Sequence, residues 1–143
     1  MNLSTFSAIL TFAIDTEDRS LAFLEKLLAR KDCLVVRPAL EEIVQVKTKH
    51  RRTLETIRRE NITEMILEPV RNLKAEDFPS EMPKKEVKNP ADGIRAVLAA
   101  EKTASRFLLT ASEKLKLAEV AKALKKLQTA KEELIGKIKK LHA

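Results

Sequence analysis

Apolar residues recur at three- and four-residue intervals through four stretches of the chain, the spacing of helices that each bury one stripe. The first, about residues 4–30, sets Leu3, Phe6, Leu10, Ala13, Leu21 (or Ser20), Leu24 and Leu28 on one seam. The second, about 38–66, runs Leu40, Ile43, Leu54 and Ile57, and the third, about 90–112, runs Ile94, Val97, Ala104, Leu108 and Ala111. The fourth, about 115–142, runs Leu117, Val120, Leu124, Leu127, Leu134, Ile138 and Leu141. Each seam is broken near its middle by polar residues: Glu17 in the first, Lys47 and His50 in the second, Glu101 in the third, and Lys131 flanked by Gln128 in the fourth. One polar layer across a four-helix bundle is the simplest account.

Local signals set the boundaries. Ser4 is a candidate N-cap for the first helix, and Lys31-Asp32 marks its exit. Cys33 to Val36 form a short apolar connector suited to covering one end of the bundle. Pro38 opens the second helix, where a missing N–H costs nothing, and Glu41 and Glu42 lie in its favourable first turn. Asn89-Pro90-Ala91-Asp92 opens the third helix with a cap, a proline and a first-turn acid. Between them, residues of about 67–89 carry Pro69, Pro79 and Pro83 without clear periodicity. A connection of that length can cross the whole bundle and make helices two and three parallel. No Gly or Pro separates the third and fourth seams, but their phases differ by two positions. This predicts a tight turn within Thr110–Lys116, with Ser112 as its candidate cap, in preference to one bent helix. The expected fold is therefore all-α, a single antiparallel-type four-helix domain over 1–143 with one long crossover.

Composition narrows the function classes. With 143 residues and 44% apolar content the chain supports one core, and two glycines leave no phosphate-cradling loop. The lone Cys33 excludes a disulfide framework or a cysteine metal knuckle. Asp15, Glu17 and Asp18 interrupt the first apolar run, so no membrane anchor or signal peptide is expected, and a cytoplasmic location is. Between Lys114 and Ala143 nine lysines face Glu119, Glu132 and Glu133, so nearly all of the net charge of +7 belongs to the last helix. Abundant Lys and Glu with few aromatics also describes a thermophile-like solvated surface. Nucleic acid is a minor alternative, through Lys47, Lys49, Arg51, Arg52, Arg58 and Arg59 or through Lys122, Lys125, Lys126, Lys137, Lys139 and Lys140. The absence of Tyr and Trp removes stacking platforms. No hydrolytic motif and no small-molecule substrate is identifiable.

A faint repeat completes the pattern: Glu17 is followed by DRSLAFL and Glu101 by KTASRFL, aligning Phe23 with Phe107 and Leu24 with Leu108. A duplicated helix pair, with an inward Glu on its first helix and inward residues three apart on its second, resembles the ferritin-like superfamily, in particular its rubrerythrin-like branch. The resemblance covers nearly the whole chain in pattern and rests on few residues. It implies a di-iron site made from one Glu on each of two helices and a Glu-x-x-His pair on each of the others. Glu17 and Glu101 match the single glutamates, and His50 matches one histidine, with Lys47 in the place of its glutamate. Gln128 and Lys131 stand in the places of the second pair. Half of the ligand positions are thereby lost, and Leu24 and Leu108 stand where that family often has Tyr. The expectation is a degenerate di-iron site in which Lys47 and Lys131 replace the metal charge, Gln128 joins the polar core, and no cofactor is bound. The protein would be non-catalytic, a scaffold or assembly protein and a homodimer. The competing expectation is a metal-binding oxidoreductase holding one iron, manganese or zinc on Glu17, His50 and Glu101.

Overall fold

The computed structural model describes residues 1–65, 69–79 and 82–142. It is an all-α four-helix bundle, with α1 (Phe6–Leu28), α2 (Arg37–Met65), α3 (Pro90–Lys114) and α4 (Ala118–His142), and no strand among the described residues. The expected end of the second helix at residue 66 lies outside those residues.

The capping chemistry explains most of the helix ends. Asn89 caps α3 by accepting from Asp92 N–H, with Pro90 in the first turn, as the sequence requires. At α1 the cap is Thr5, whose hydroxyl accepts from Ala8 N–H at 3.0 Å, and not Ser4. The Ser4 carbonyl instead accepts from Val70 N–H, because the N-terminal segment pairs with the crossover through Leu3 N–H to Leu73 O and Ala75 N–H to Met1 O. Leu115 to Leu117 break the chain between α3 and α4, so the tight turn is present. Ser112 does not cap it; this residue lies inside α3 and donates to Leu109 O at 2.7 Å. At the α1–α2 turn Cys33 is fully buried, but Leu34 and Val35 are 65% and 94% exposed. Of the expected apolar cover at this end, Cys33 and the half-buried Val36 pack on the core, and Leu34 and Val35 do not.

Two apolar clusters fix the directions of the helices. One joins Phe6, Leu10 and Ala13 of α1 to Leu54 and Ile57 of α2, Phe107 and Leu108 of α3, and Val120 and Leu124 of α4. The other joins Leu24 and Leu27 of α1 to Leu40 and Ile43 of α2, Ile94 and Val97 of α3, and Leu134 and Ile138 of α4. The start of α1 thus lies with the end of α2, the end of α3 and the start of α4. Neighbouring helices, α1–α2, α3–α4, α1–α3 and α2–α4, run antiparallel. In α1 the buried positions are Ser20 and Leu27, while Leu21 and Leu28 are half-buried.

The segment between α2 and α3 must then travel the bundle's length, and it is anchored along the way. Val70, Leu73 and Phe78 belong to the first cluster, and Met82 and Val87 pack against the second. Phe78 meets Phe107 edge-on at 5.1 Å, Phe107 meets Phe12 at 4.8 Å, and Arg106 lies over the Phe78 ring. At the far end Arg30 donates to the carbonyls of Val87 and Lys88 while its fork holds Asp32. The ring, cation and hydrogen-bond partners of these anchors belong to α1, α3 or the turn after α1, and among the described residues the groove between α2 and α4 is lined by those two helices alone. The crossover therefore covers the α1–α3 side, and no described residue of it covers the groove between α2 and α4.

The two glycines make a checkable contrast. A Cβ at Gly136 in α4 would meet nothing within 4 Å, whereas at Gly93 it would meet Leu27 Cδ1 at 2.6 Å. Gly136→Ala removes backbone entropy from the unfolded chain and is expected to stabilise the protein by about 0.5–1 kcal/mol. Gly93→Ala, which must displace a buried leucine, is expected to gain less. Denaturant unfolding of the two variants side by side checks the order.

Candidate functional site

Half-way along the bundle each helix presents one charged side chain inward. Glu17, Lys47, Glu101 and Lys131 are each no more than 1% exposed. They stand on the seams of α1, α2, α3 and α4 because each occupies the position, three or four residues from its buried neighbours, that leucine or isoleucine fills elsewhere. The two acids sit on adjacent helices, as do the two lysines, and every lysine reaches both acids. Lys47 Nζ donates to Glu17 Oε2 at 2.5 Å and to Glu101 Oε1. Lys131 Nζ donates to Glu17 Oε1 and lies 3.3 and 3.1 Å from the two oxygens of Glu101. Charges of opposite sign therefore alternate around a closed ring: Glu17, Lys47, Glu101, Lys131.

The ring is neutral as a whole, which is what allows four charges to remain in a place shielded from bulk solvent. An unpaired ion there would instead lose its charge or unfold the site. Desolvation lowers the proton affinity of Lys47, with the charge and hydrogen bond of Glu101 acting against it, and desolvation also lowers that of Lys131. In each of these contacts the lysine nitrogen stands as donor and the carboxylate oxygen as acceptor. Glu101 Oε2 accepts no well-aligned hydrogen bond despite the ammonium 3.1 Å away. Beside the ring a cavity of 10 Å³, lined by Glu17, Lys131, Phe12, Phe78 and Phe107 among others, has room for about one water molecule and no larger substrate.

The remaining sequence candidates are placed differently from one another. His50, one helical turn from Lys47, is 6% exposed, and its Nδ1 has no partner. Burial first, and the Lys47 charge second, push its pKa down to about 4. Gln128 does not enter the ring. It is half-buried on the flank of α4, where its Nε2 donates to Ser105 Oγ at 3.1 Å, and Ser105 donates to Glu132 at 2.6 Å. A step of three residues from Lys131 turns it off the buried stripe, and Ser105, one turn after Glu101, gives it a surface partner. Lys47 is withdrawn from any surface cationic patch, and Arg51 is engaged by Asp18 and Glu55. The Asp18–Arg51 pair could have been found from the sequence, since Asp18 adjoins Glu17 and Arg51 lies one turn beyond Lys47. Burial pushes the Cys33 thiol up, so it is no ready nucleophile.

The residues do not fit a metal ion. Among the described residues no three His, Cys, Asp or Glu side chains come together to hold one, and ammonium groups stand against the carboxylates of Glu17 and Glu101. Nor is any described helix long and apolar enough to cross a membrane. No protein-family model, curated protein or solved structure matches the chain.

Two outcomes follow. Lys131→Met strands two buried carboxylates with one ammonium and is expected to cost about 3–5 kcal/mol, while replacing all four residues (Glu17→Leu, Lys47→Met, Glu101→Leu, Lys131→Met) is expected to be neutral or stabilising. Chemical denaturation of the single and fourfold variants measures both. The second concerns His50, whose folded pKa of about 4 lies below its ordinary 6.5. Between these values the unfolded chain binds a proton that the folded one refuses, so stability falls as pH falls from about 6.5 to about 4, by up to ~3 kcal/mol from this group. His50→Leu removes that part of the slope, and unfolding curves across pH 4–7 compare the two proteins.

Proposed function

We propose that this protein is a ferritin-like bundle of rubrerythrin type whose metal centre has been replaced by internal ion pairs, leaving a non-catalytic scaffold or assembly protein. The observation that carries the reading is the closed ring: both glutamates that would bridge irons are instead bridged by Lys47 and Lys131. The reading is further supported by two antiparallel hairpins joined by one length-spanning crossover, a connectivity that ferritin-like bundles use. His50, three residues after Lys47, is consistent with a former Glu-x-x-His pair. In this reading the ammonium groups supply the positive charge that two metal ions would otherwise provide, and the bundle stays closed without a cofactor.

A metal-binding oxidoreductase needs donors free to bind and an open position for a reactant. Here the carboxylate oxygens face ammonium groups and the adjoining cavity admits about one water. As an assembly protein, a homodimer is the simplest form. The exposed Leu34 and Val35 at the α1–α2 turn are apolar positions available to it.

The test is linkage of metal to stability. Protein purified without chelator is expected to contain far less than one iron, manganese or zinc per chain, and added metal is expected to leave its melting temperature unchanged, since only native-state binding raises it. The double variant Lys47→Glu, Lys131→His converts the two ammonium positions into donors and is expected to gain a metal-dependent rise. Stoichiometric metal in the wild type, with melting lowered by its removal, would overturn the reading.

A further inference from the structure

The groove between α2 and α4 has a volume of 540 Å³, in the range of small-molecule sites. It is the side of the bundle that the described crossover does not cover. Its floor is apolar, formed by Ile57, Leu127, Ala123 and Ala130. Its rim carries Lys49 and Arg52 from α2 and Lys126 from α4, all three exposed and in no ion pair among the described residues, and no acidic side chain lines it.

What sets this groove apart is its inner wall. His50 lines it although the residue is 94% shielded, because its Nδ1 is sealed inside without a partner while Nε2, also without a protein partner, is not among the sealed atoms. Thr56 lines the same wall with a hydroxyl that bonds nothing among the described residues. On the groove side, then, an imidazole edge and a hydroxyl without protein partners stand beside three cations that no acid among the described residues neutralises, a setting that suits a ligand able to accept hydrogen bonds and carrying negative charge. By contrast, the groove between α1 and the crossover includes Glu86, and its Arg30 already serves Asp32 and two carbonyls.

A second copy of the chain is a poor occupant. Docked face to face about a two-fold axis, it would bring Lys49, Arg52 and Lys126 against the same cations. A wholly polar anion would leave the apolar floor unused. We propose that the α2–α4 groove binds a small amphiphilic anion, a carboxylate or phosphate head on a short apolar body. The head meets Arg52, Lys126 and the His50–Thr56 wall, and the body lies over Leu127 and Ala130. His50 enters both this inference and the metal-replacement reading, but the groove's other residues do not, and none of them belongs to the ion-pair ring, so failure of either leaves the other standing.

The experiment is a titration of the full chain with hexyl phosphate, hexanoate and inorganic phosphate, followed by ¹H–¹⁵N NMR and calorimetry. Hexyl phosphate or hexanoate is expected to bind with shifts confined to the surroundings of His50, Thr56 and Ala130, and whichever binds tighter identifies the head group. Inorganic phosphate, which lacks the apolar body, is expected to bind at least about tenfold more weakly, and either amphiphile is expected to bind at least about a hundredfold more weakly to Arg52→Ala/Lys126→Ala, each of the two lost charged hydrogen bonds being worth about tenfold. Both substituted side chains are exposed, so unchanged melting shows that the loss is local. Ala130→Phe, filling the floor, should weaken the amphiphiles and not phosphate. Three results would overturn the proposal: no binding, equal binding of hexyl phosphate and inorganic phosphate, or an equal loss on Lys84→Ala/Lys85→Ala in the other groove. Concentration-dependent shifts at the same residues without ligand would also overturn it, by showing a second copy on this face.

Discussion

Four charges held in the solvent-shielded centre of a bundle impose a condition that the rest of the molecule meets: they must arrive together. A lone Glu17 or Lys131 in that place would have neither bulk solvent nor an opposite charge, and the cost of stranding it exceeds what most single contacts supply. The register of each helix against its neighbours is thereby fixed. Sliding any helix by one turn, about 5.4 Å, would take its charge out of reach of the two it bonds and bury it against leucines. Apolar seams alone do not discriminate so sharply between registers, since a leucine moved by one turn meets another leucine.

The ring also explains the symmetry of the chain. Glu17 and Lys47 are 30 residues apart, and so are Glu101 and Lys131. Each hairpin thus brings one acid and one base, and because α1 runs antiparallel to α3 and α2 to α4, the two hairpins are related by an approximate two-fold through the ring. Within a hairpin the pair is only half satisfied. Lys47 completes its bonds on Glu101 and Lys131 on Glu17, so the ion pairs that close each hairpin also join the two. The crossover supplies the remaining asymmetry, shielding the α1–α3 side with Phe78, Met82 and Val87 and leaving the α2–α4 side as a groove.

Much of this was legible in the sequence because it depends on helical spacing. Glu17, Lys47, Glu101 and Lys131 replace apolar residues on otherwise regular stripes, and a stripe position is a buried position once a bundle forms. Reading Lys131 was harder, since a four-carbon stem can carry its charge out to solvent. Only the presence of two acids within reach inside decides the matter, and that is a property of the assembled helices. Gln128 shows the converse: its spacing from Lys131 matches a ligand pair, yet Ser105 and Glu132 offer it hydrogen bonds on the flank. The N-cap shifts from Ser4 to Thr5 because the crossover claims the Ser4 carbonyl, a contact between segments about 65 residues apart that no local rule contains. The exposure of Leu34 and Val35 is equally non-local, since whether a turn residue is covered depends on which segments pack over it.

The state of the two buried nitrogens is the most direct measure of the account. In ¹H–¹⁵N spectra tuned to lysine side chains at neutral pH, exposed ammonium groups exchange their protons with water too fast to persist, whereas groups enclosed and hydrogen-bonded to carboxylates are protected. The account predicts two protected ammonium signals, lost singly on Lys47→Met and Lys131→Met and each correlated with side-chain carboxylate carbons of both Glu17 and Glu101. Spectra with no protected lysine signal, or with two whose correlations lead to no carboxylate, would contradict it.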